Sequence, residues 1–230
     1  GKCALPWNPN GSPATYMGDS NRPMRILKVA SWYRSSVAPS RGSFIREQAH
    51  ALAARGHDVH VVYLDRDART RPFRVRVIPD AGVIEHSIAC PFPLHRLFGF
   101  YCPALLEPFL KRLVMELGPD VIHAHGVRPG GVLGARMVGV TGRPMALTEH
   151  SCPLEDFWKT RHGYRQIEAA YLTADALLAV SNSSQVIAER LFPSTLGKWQ
   201  TIYNGIDTHV YRPAAMSPPS PPLRILFLGG

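Results

Sequence analysis

Short aliphatic runs of strand length recur along this chain, and almost every one is followed by a helical pattern. The first is Ile26–Ser31, in which Ile26, Leu27, Val29 and Ala30 leave no polar face. A strand apolar on both faces must be covered on both faces, which is the environment of a parallel sheet. Ser43–Arg55 then reads as a helix with Ile45, Ala49, Leu52 and Ala53 on one side and Gly56 at its C-cap. Val59–Leu64 is a strand again, followed by the shorter strand signals Phe73–Ile78 and Val83–Ala89. Leu105, Phe109, Leu113 and Leu117 repeat at helical spacing, with Pro108 about one turn inside, where its missing N–H does little harm. The second half alternates cleanly: strand Asp120–His125, helix Gly130–Val138, strand Pro144–Thr148, helix Gly163–Thr173, strand Ala176–Val180, helix Asn182–Leu191 and strand Trp199–Tyr203. This alternation predicts an α/β domain: a Rossmann-like parallel sheet with helices on both faces.

The two ends differ from this middle. Residues 1–23 are rich in Pro, Gly, Asn and Ser and read as a disordered leader, with Met24 a natural start. After the domain at 24–203, residues 204–222 shift abruptly to Pro, Ser and Ala and read as a stiff linker. Residues 223–230 (Leu-Arg-Ile-Leu-Phe-Leu-Gly-Gly) form another apolar strand with nothing after it. Such a strand cannot bury itself alone, so it is expected to open a second domain.

Composition excludes several classes. Hydrophobic residues make up 45% and charged residues 19% of the 230, which is globular. No apolar run reaches the roughly 18–20 residues of a membrane helix, and the start lacks a signal-peptide pattern. The four cysteines show no zinc spacing, so a reducing, cytoplasmic compartment is expected. The net charge of +9 favours an anionic partner. Its densest run, Arg66–Arg76, reads as a solvated loop between strands. The segment Pro91–Leu106, with aromatics around His95 and Arg96, is either core or a lip for peripheral contact with an anionic membrane.

In an open parallel sheet ligands sit at the carboxyl ends of the strands. Three such ends carry unusual residues. After the first strand, Gly42 and Ser43 precede a helix whose N–H groups suit a phosphate, or form an ordinary turn. After the central strand comes His123-Ala124-His125-Gly126; both imidazoles fall on one side, so a metal pair completed by His150, Glu149 or Asp120 is one reading. The favoured reading is a cleft without metal, since no further ligand run supports one. After the next strand, Thr148-Glu149-His150-Ser151 places His150, with Ser151 beside it, to touch a polar ligand, or leaves it a satisfied core histidine.

Taken in order, these segments resemble a known family. Arg46-Glu47-Gln48-Ala49 with Leu52–Val59, Pro119–His125, Thr148–His150, Ala174–Ser181, Tyr203-Asn204-Gly205-Ile206-Asp207 and Tyr211-Arg212-Pro213 are similar to motifs of family 4 retaining glycosyltransferases. The resemblance implies the N-terminal half of a GT-B fold, the acceptor-side domain facing a donor-binding domain across a cleft. It implies a nucleotide-sugar co-substrate, a glycan or lipid-linked acceptor in cell-envelope or exopolysaccharide synthesis, and no cofactor or metal. On this resemblance Gly42 and Ser43 meet donor diphosphate and acceptor, and His150 contacts the transferred sugar as the catalytic candidate. His125 and Gly126 lie on the acceptor side, Ser151 contacts substrate, Arg165 binds an acid or phosphate, and Asn204, Gly205 and Asp207 form the hinge.

Two departures stand out. Relatives often carry two glycines in the first loop, where this chain has Arg41-Gly42. The family's glutamates and basic diphosphate clamp belong to the second domain, so the chain alone is expected to transfer no sugar. Two other readings differ in class: a metal-dependent hydrolase built on His123, His125 and His150, and a non-catalytic domain binding nucleic acid or another anionic ligand. The latter lacks any nucleic-acid-binding signature, and no nucleic acid partner is expected.

Overall fold

A computed structural model describes residues 22–90, 102–150 and 161–212. The expected leader (beyond its last two residues), most of the Pro91–Leu106 segment, Ser151, and the chain from Pro213 onward lie outside the described residues.

The strands are β1 (Arg25–Ala30), β2 (Asp58–Asp65), β3 (Val75–Asp80), β4 (Val83–Ala89), β5 (Val121–His125), β6 (Met145–Glu149), β7 (Ala176–Ala179) and β8 (Trp199–Thr201). The helices are α1 (Ser43–Ala53), α2 (Cys102–Leu117), α3 (Val132–Thr141), α4 (Arg161–Thr173) and α5 (Asn182–Leu191). The strands form one sheet in the order β3-β4-β2-β1-β5-β6-β7-β8. All neighbours are parallel except the β3–β4 pair. Order reverses at β1, which starts both outward windings, so the switch point expected to bind ligands lies between β1 and β5.

Alternation along the strands assigns the two faces. Leu27 and Val29 join Ile122, Ala124, Leu147 and Leu177 in the larger core, beneath residues of α2, α3, α4 and α5. Ala30 joins Val59, Val61 and Tyr63 in a smaller core covered by Ile45 and Ala49 of α1. Helices do cover both faces, as the sequence predicts, but four of the five described helices pack on one of them. The α1 face therefore has less apolar cover, and it carries the polar residues described below.

Most boundaries agree within two residues, and Val83–Ala89 and Asn182–Leu191 agree fully. Ser181 caps α5, its hydroxyl accepting the Ser184 N–H at 3.1 Å. Two elements differ. The helix expected over Gly130–Val138 is preceded by a five-residue wide turn, Val127–Gly131, closed by the Gly131 N–H donating to the Gly126 carbonyl at 2.9 Å. Gly130 is required there, since a Cβ would lie 2.6 Å from the Val29 carbonyl oxygen. The helix around Pro108 starts earlier than the leucine spacing shows, at Cys102, so Pro108 sits nearer two turns in than one.

The solvated-loop reading of the arginine run holds for Arg69, Arg71, Arg74 and Arg76, all exposed between or on β2 and β3. Leu106 is buried in the larger core. No described helix is long and apolar enough to cross a membrane.

Candidate functional site

The switch point gathers an unusual set of side chains. Lys28 lies in the middle of β1, paired in register with His123 of β5, and is completely buried. Its Nζ donates to the Gln48 Oε1 of α1 and lies 2.9 Å from His125 Nε2. His125, at the end of β5 and 1% exposed, turns its other ring nitrogen to His150 Nε2 at 3.1 Å. His150 follows the last residue of β6, and its ring packs on Phe44 of α1 with centroids 4.5 Å apart. The His123 ring lies tilted against that of His125, centroids 4.1 Å apart, and hydrogen-bonds the Thr148 hydroxyl at 2.8 Å. The row Gln48–Lys28–His125–His150 thus ties α1, β1, β5 and β6 together at the carboxyl end of the sheet.

Burial dominates the electrostatics of this row. It lowers Lys28 to about 7, with no carboxylate contributing. The same desolvation, reinforced by the charge of Lys28, pushes His123 to about 3 and His150 to about 4, and His125 well below its ordinary value. All three imidazoles are therefore neutral at pH 7. Among the described residues the buried Nδ1 of His150 has no hydrogen-bond partner. An unmet buried polar atom of this kind costs about 1–3 kcal/mol until something bonds it.

Beneath the row, on the opposite face, Glu149 fixes the backbone that presents His150. One carboxylate oxygen accepts the His150 N–H at 2.9 Å. The other accepts the Val127 N–H at 3.0 Å and the Tyr171 hydroxyl at 3.0 Å, which links β6, the wide turn and α4. Ser31 acts similarly at the end of β1: its hydroxyl accepts the Gly130 N–H and donates to the Gly126 carbonyl.

The two glycines singled out from sequence are both needed for internal packing. Gly42 has φ +68°, and a Cβ there would meet the Trp32 carbonyl oxygen at 2.5 Å. Gly126 has φ +72°, and a Cβ would strike the Trp32 indole at 2.6 Å. One grips the backbone of Trp32 and the other its ring. The amides at the start of α1 are also partly engaged: Ser43 N–H bonds the Ser40 carbonyl, and the Ile45 and Arg46 N–H groups bond that of Gly42. The phosphate-cradle reading of Gly42 and Ser43 thus has fewer available donors than the sequence implies.

His125 and His150 are brought together, next to the loop of Gly42 and Ser43. Arg165 is not; it is exposed on α4, on the opposite side of the sheet. Asn204, Gly205 and Asp207 are exposed after β8, where Asp207 accepts the His209 N–H in a local turn and Gly205 has open space around it. The nitrogens of His125 face Lys28 and His150, and a lysine ammonium competes for the lone pair a metal would need. No group of three His, Cys, Asp or Glu side chains suited to a metal occurs among the described residues.

Sequence reasoning missed Lys28, Gln48 and the Glu149–Tyr171 support. Lys28 had a signal: a lysine within an apolar strand, on the face shared with Ala30, is rarely buried without a role.

A family model, Glycosyltransferase Family 4, matches residues 42–210. The putative teichuronic acid biosynthesis glycosyltransferase TuaC of Bacillus subtilis is 28% identical over 183 residues, covering 73% of this chain and 47% of TuaC. The glycogen synthase of Mycobacterium tuberculosis is 30% identical over 231 residues, covering 90% of this chain and 54% of that protein. The chain thus spans about half the length of these curated relatives. Among solved structures, Anabaena Alr3699/HepE in complex with UDP aligns with a TM-score of 0.54 at 18% identity, over 84% of this chain and 47% of that one. Trehalose-6-phosphate from E. coli bound with UDP-2-fluoro glucose aligns at 0.53 and 14% identity, over 80% and 50%. These structures share the fold: a mostly parallel, helix-covered sheet of the GT-B type.

Proposed function

We propose, on the premise that the chain belongs to glycosyltransferase family 4, that it forms the acceptor-side domain of a retaining, nucleotide-sugar-dependent enzyme of cell-envelope polysaccharide synthesis. The structural neighbours with UDP and UDP-glucose support the donor class. The teichuronic acid relative supports the setting. The acceptor is a glycan or lipid-linked glycan, handled in the cytoplasm or at the inner membrane face; the +9 charge suits an anionic partner of this kind.

The observation that carries the reading is His150. It stands at the carboxyl end of β6, beside the β1–α1 loop, with a buried ring nitrogen that no described residue bonds. A neutral imidazole there can hydrogen-bond an oxygen of the transferred sugar and hold it against the departing diphosphate without adding charge. Residues 204–222 act as the hinge to the donor-binding domain. The 230-residue chain alone is proposed to be inactive, because that domain supplies the groups that neutralise the leaving diphosphate.

The test is transfer from a panel of nucleotide sugars by the full-length enzyme. His150→Ala is expected to lower kcat on the order of 100-fold. Unchanged turnover in the variant, or clear turnover by the 230-residue chain alone, overturns the corresponding part of the reading.

A further inference from the structure

The row that ends at His150 passes through Lys28, which is completely buried. Lys28 Nζ has two near partners, Gln48 Oε1 and His125 Nε2. A lysine nitrogen carries at least two hydrogens in either protonation state, enough to donate to both. The amide oxygen of Gln48 can only accept. If His125 Nε2 also accepts, the neutral ring keeps its single proton on Nδ1. That nitrogen faces His150 Nε2 at 3.1 Å, so it donates there, and His150 in turn must carry its proton on Nδ1. The Nδ1 of His150 is one of four buried side-chain atoms without a hydrogen-bond partner among the described residues, and the only one of them in this row.

We propose that Lys28 is a positioning residue that acts through His125 to fix the tautomer of His150, so that His150 offers an Nδ1–H donor to an oxygen atom of the bound sugar substrate. The role of the sugar rests on the function proposed above; the tautomer relay does not. Both imidazoles are held in the form that free neutral histidine populates less. Three features favour the relay over simple packing. The four side chains come from four separate elements and meet nitrogen to nitrogen. No carboxylate faces Lys28 to hold it as an ion pair, so its hydrogen bonds are its only polar compensation. His123, the other histidine beside the row, is turned aside to the Thr148 hydroxyl and leaves the row unbranched.

The relay is read directly by two-bond 1H–15N correlation spectra of the 15N-histidine-labelled chain at pH 8, where the imidazoles are neutral. The expected result is pyrrole-type Nδ1 and pyridine-type Nε2 signals for both His125 and His150. In Lys28→Met, His125 and His150 are expected to shift toward the ordinary Nε2–H form. Lys28→Arg is expected to retain the Nδ1–H pattern. A wild-type His150 carrying its proton on Nε2 overturns the proposal without any variant. A folded Lys28→Met chain with unchanged tautomers overturns it as well. Because no turnover is measured, a failed relay and a failed glycosyltransferase reading give separate results.

Discussion

Two polar clusters lie on the α1 face of the sheet, one strand apart, and they are held in opposite ways. Around β4 the charges are matched. The fully buried Glu85 accepts one hydrogen bond from Arg34 Nε at 3.2 Å, and the Arg34 guanidinium pairs its charge, with Nη2 3.0 Å from the other oxygen. Asp80 sits among Arg34, Arg46 and His50 at 3.4, 2.8 and 3.0 Å. Around β1 and β5 nothing is matched: Lys28 and three histidines are buried with no carboxylate among their perturbing neighbours. In a compensated cluster, removing either partner strands a buried charge and destabilises the fold. An uncompensated one costs stability and is retained where binding or chemistry needs it. The difference in charge compensation singles out the second cluster as the candidate site.

The largest effect that separates them is acidification. The folded imidazoles have pKa values below their ordinary 6.5, so between about pH 6.5 and 4 the unfolded chain binds protons that the fold refuses. Stability therefore falls as pH falls through this window, by several kcal/mol in total. The stacked His60–His86 pair on the opposite face, with His86 at about 4, adds to the loss. Asp80 works at lower pH: Arg46 and its neighbours hold its carboxyl below the ordinary 3.8, so its contribution persists above that value and is lost only as pH falls through the depressed range. Denaturant melts from pH 8 to 4 are expected to show the decline well before any carboxylate titrates.

Next comes the packing around Trp32. Gly42→Ala is expected to cost about 2–4 kcal/mol, from left-handed backbone strain plus a clash with a carbonyl oxygen that cannot move independently. A midpoint shift in guanidinium chloride checks it. Gly205→Ala, in open space, serves as the control and is expected to change little.

Smaller, and opposite in sign, are the two cluster variants. Glu85→Gln leaves the Arg34 charge with only its longer contact to Asp80, and is expected to cost about 2 kcal/mol. Lys28→Met removes a buried charge and is expected to gain about 1–2 kcal/mol below pH 7. The gain should shrink as pH rises from about 7 toward 10.5, because there the unfolded wild-type chain holds a proton that the folded one has released, and the wild type recovers stability. At the bottom of the scale, cutting the exposed Arg112–Glu116 pair by Arg112→Ala is expected to leave the thermal midpoint unchanged.

The contrast also explains what could be read from the sequence. Strand and helix periodicity is a local signal, and it placed β4 and α5 to the residue and the His125 and His150 strand ends correctly. The family likeness rested on the same local motifs. Contacts between distant residues left no such trace. Arg34 meets Glu85 from 51 residues away and Lys28 meets His125 from 97, and neither pairing has a spacing rule. The close approach of Gly42 and Gly126 to Trp32 was also invisible in the residue spacing. The wide turn at Val127–Gly131 was likewise hidden, since it depends on Ser31 and Glu149 bonding backbone groups from other strands.

The comparison of clusters is tested most directly by equilibrium unfolding of wild type, Glu85→Gln and Lys28→Met at pH 6 under identical conditions. The two variants are expected to move in opposite directions, Glu85→Gln to a lower denaturant midpoint and Lys28→Met to a higher one. A Lys28→Met midpoint that falls as far as that of Glu85→Gln would contradict it, and would make Lys28 a structural anchor instead of a cost borne for the site.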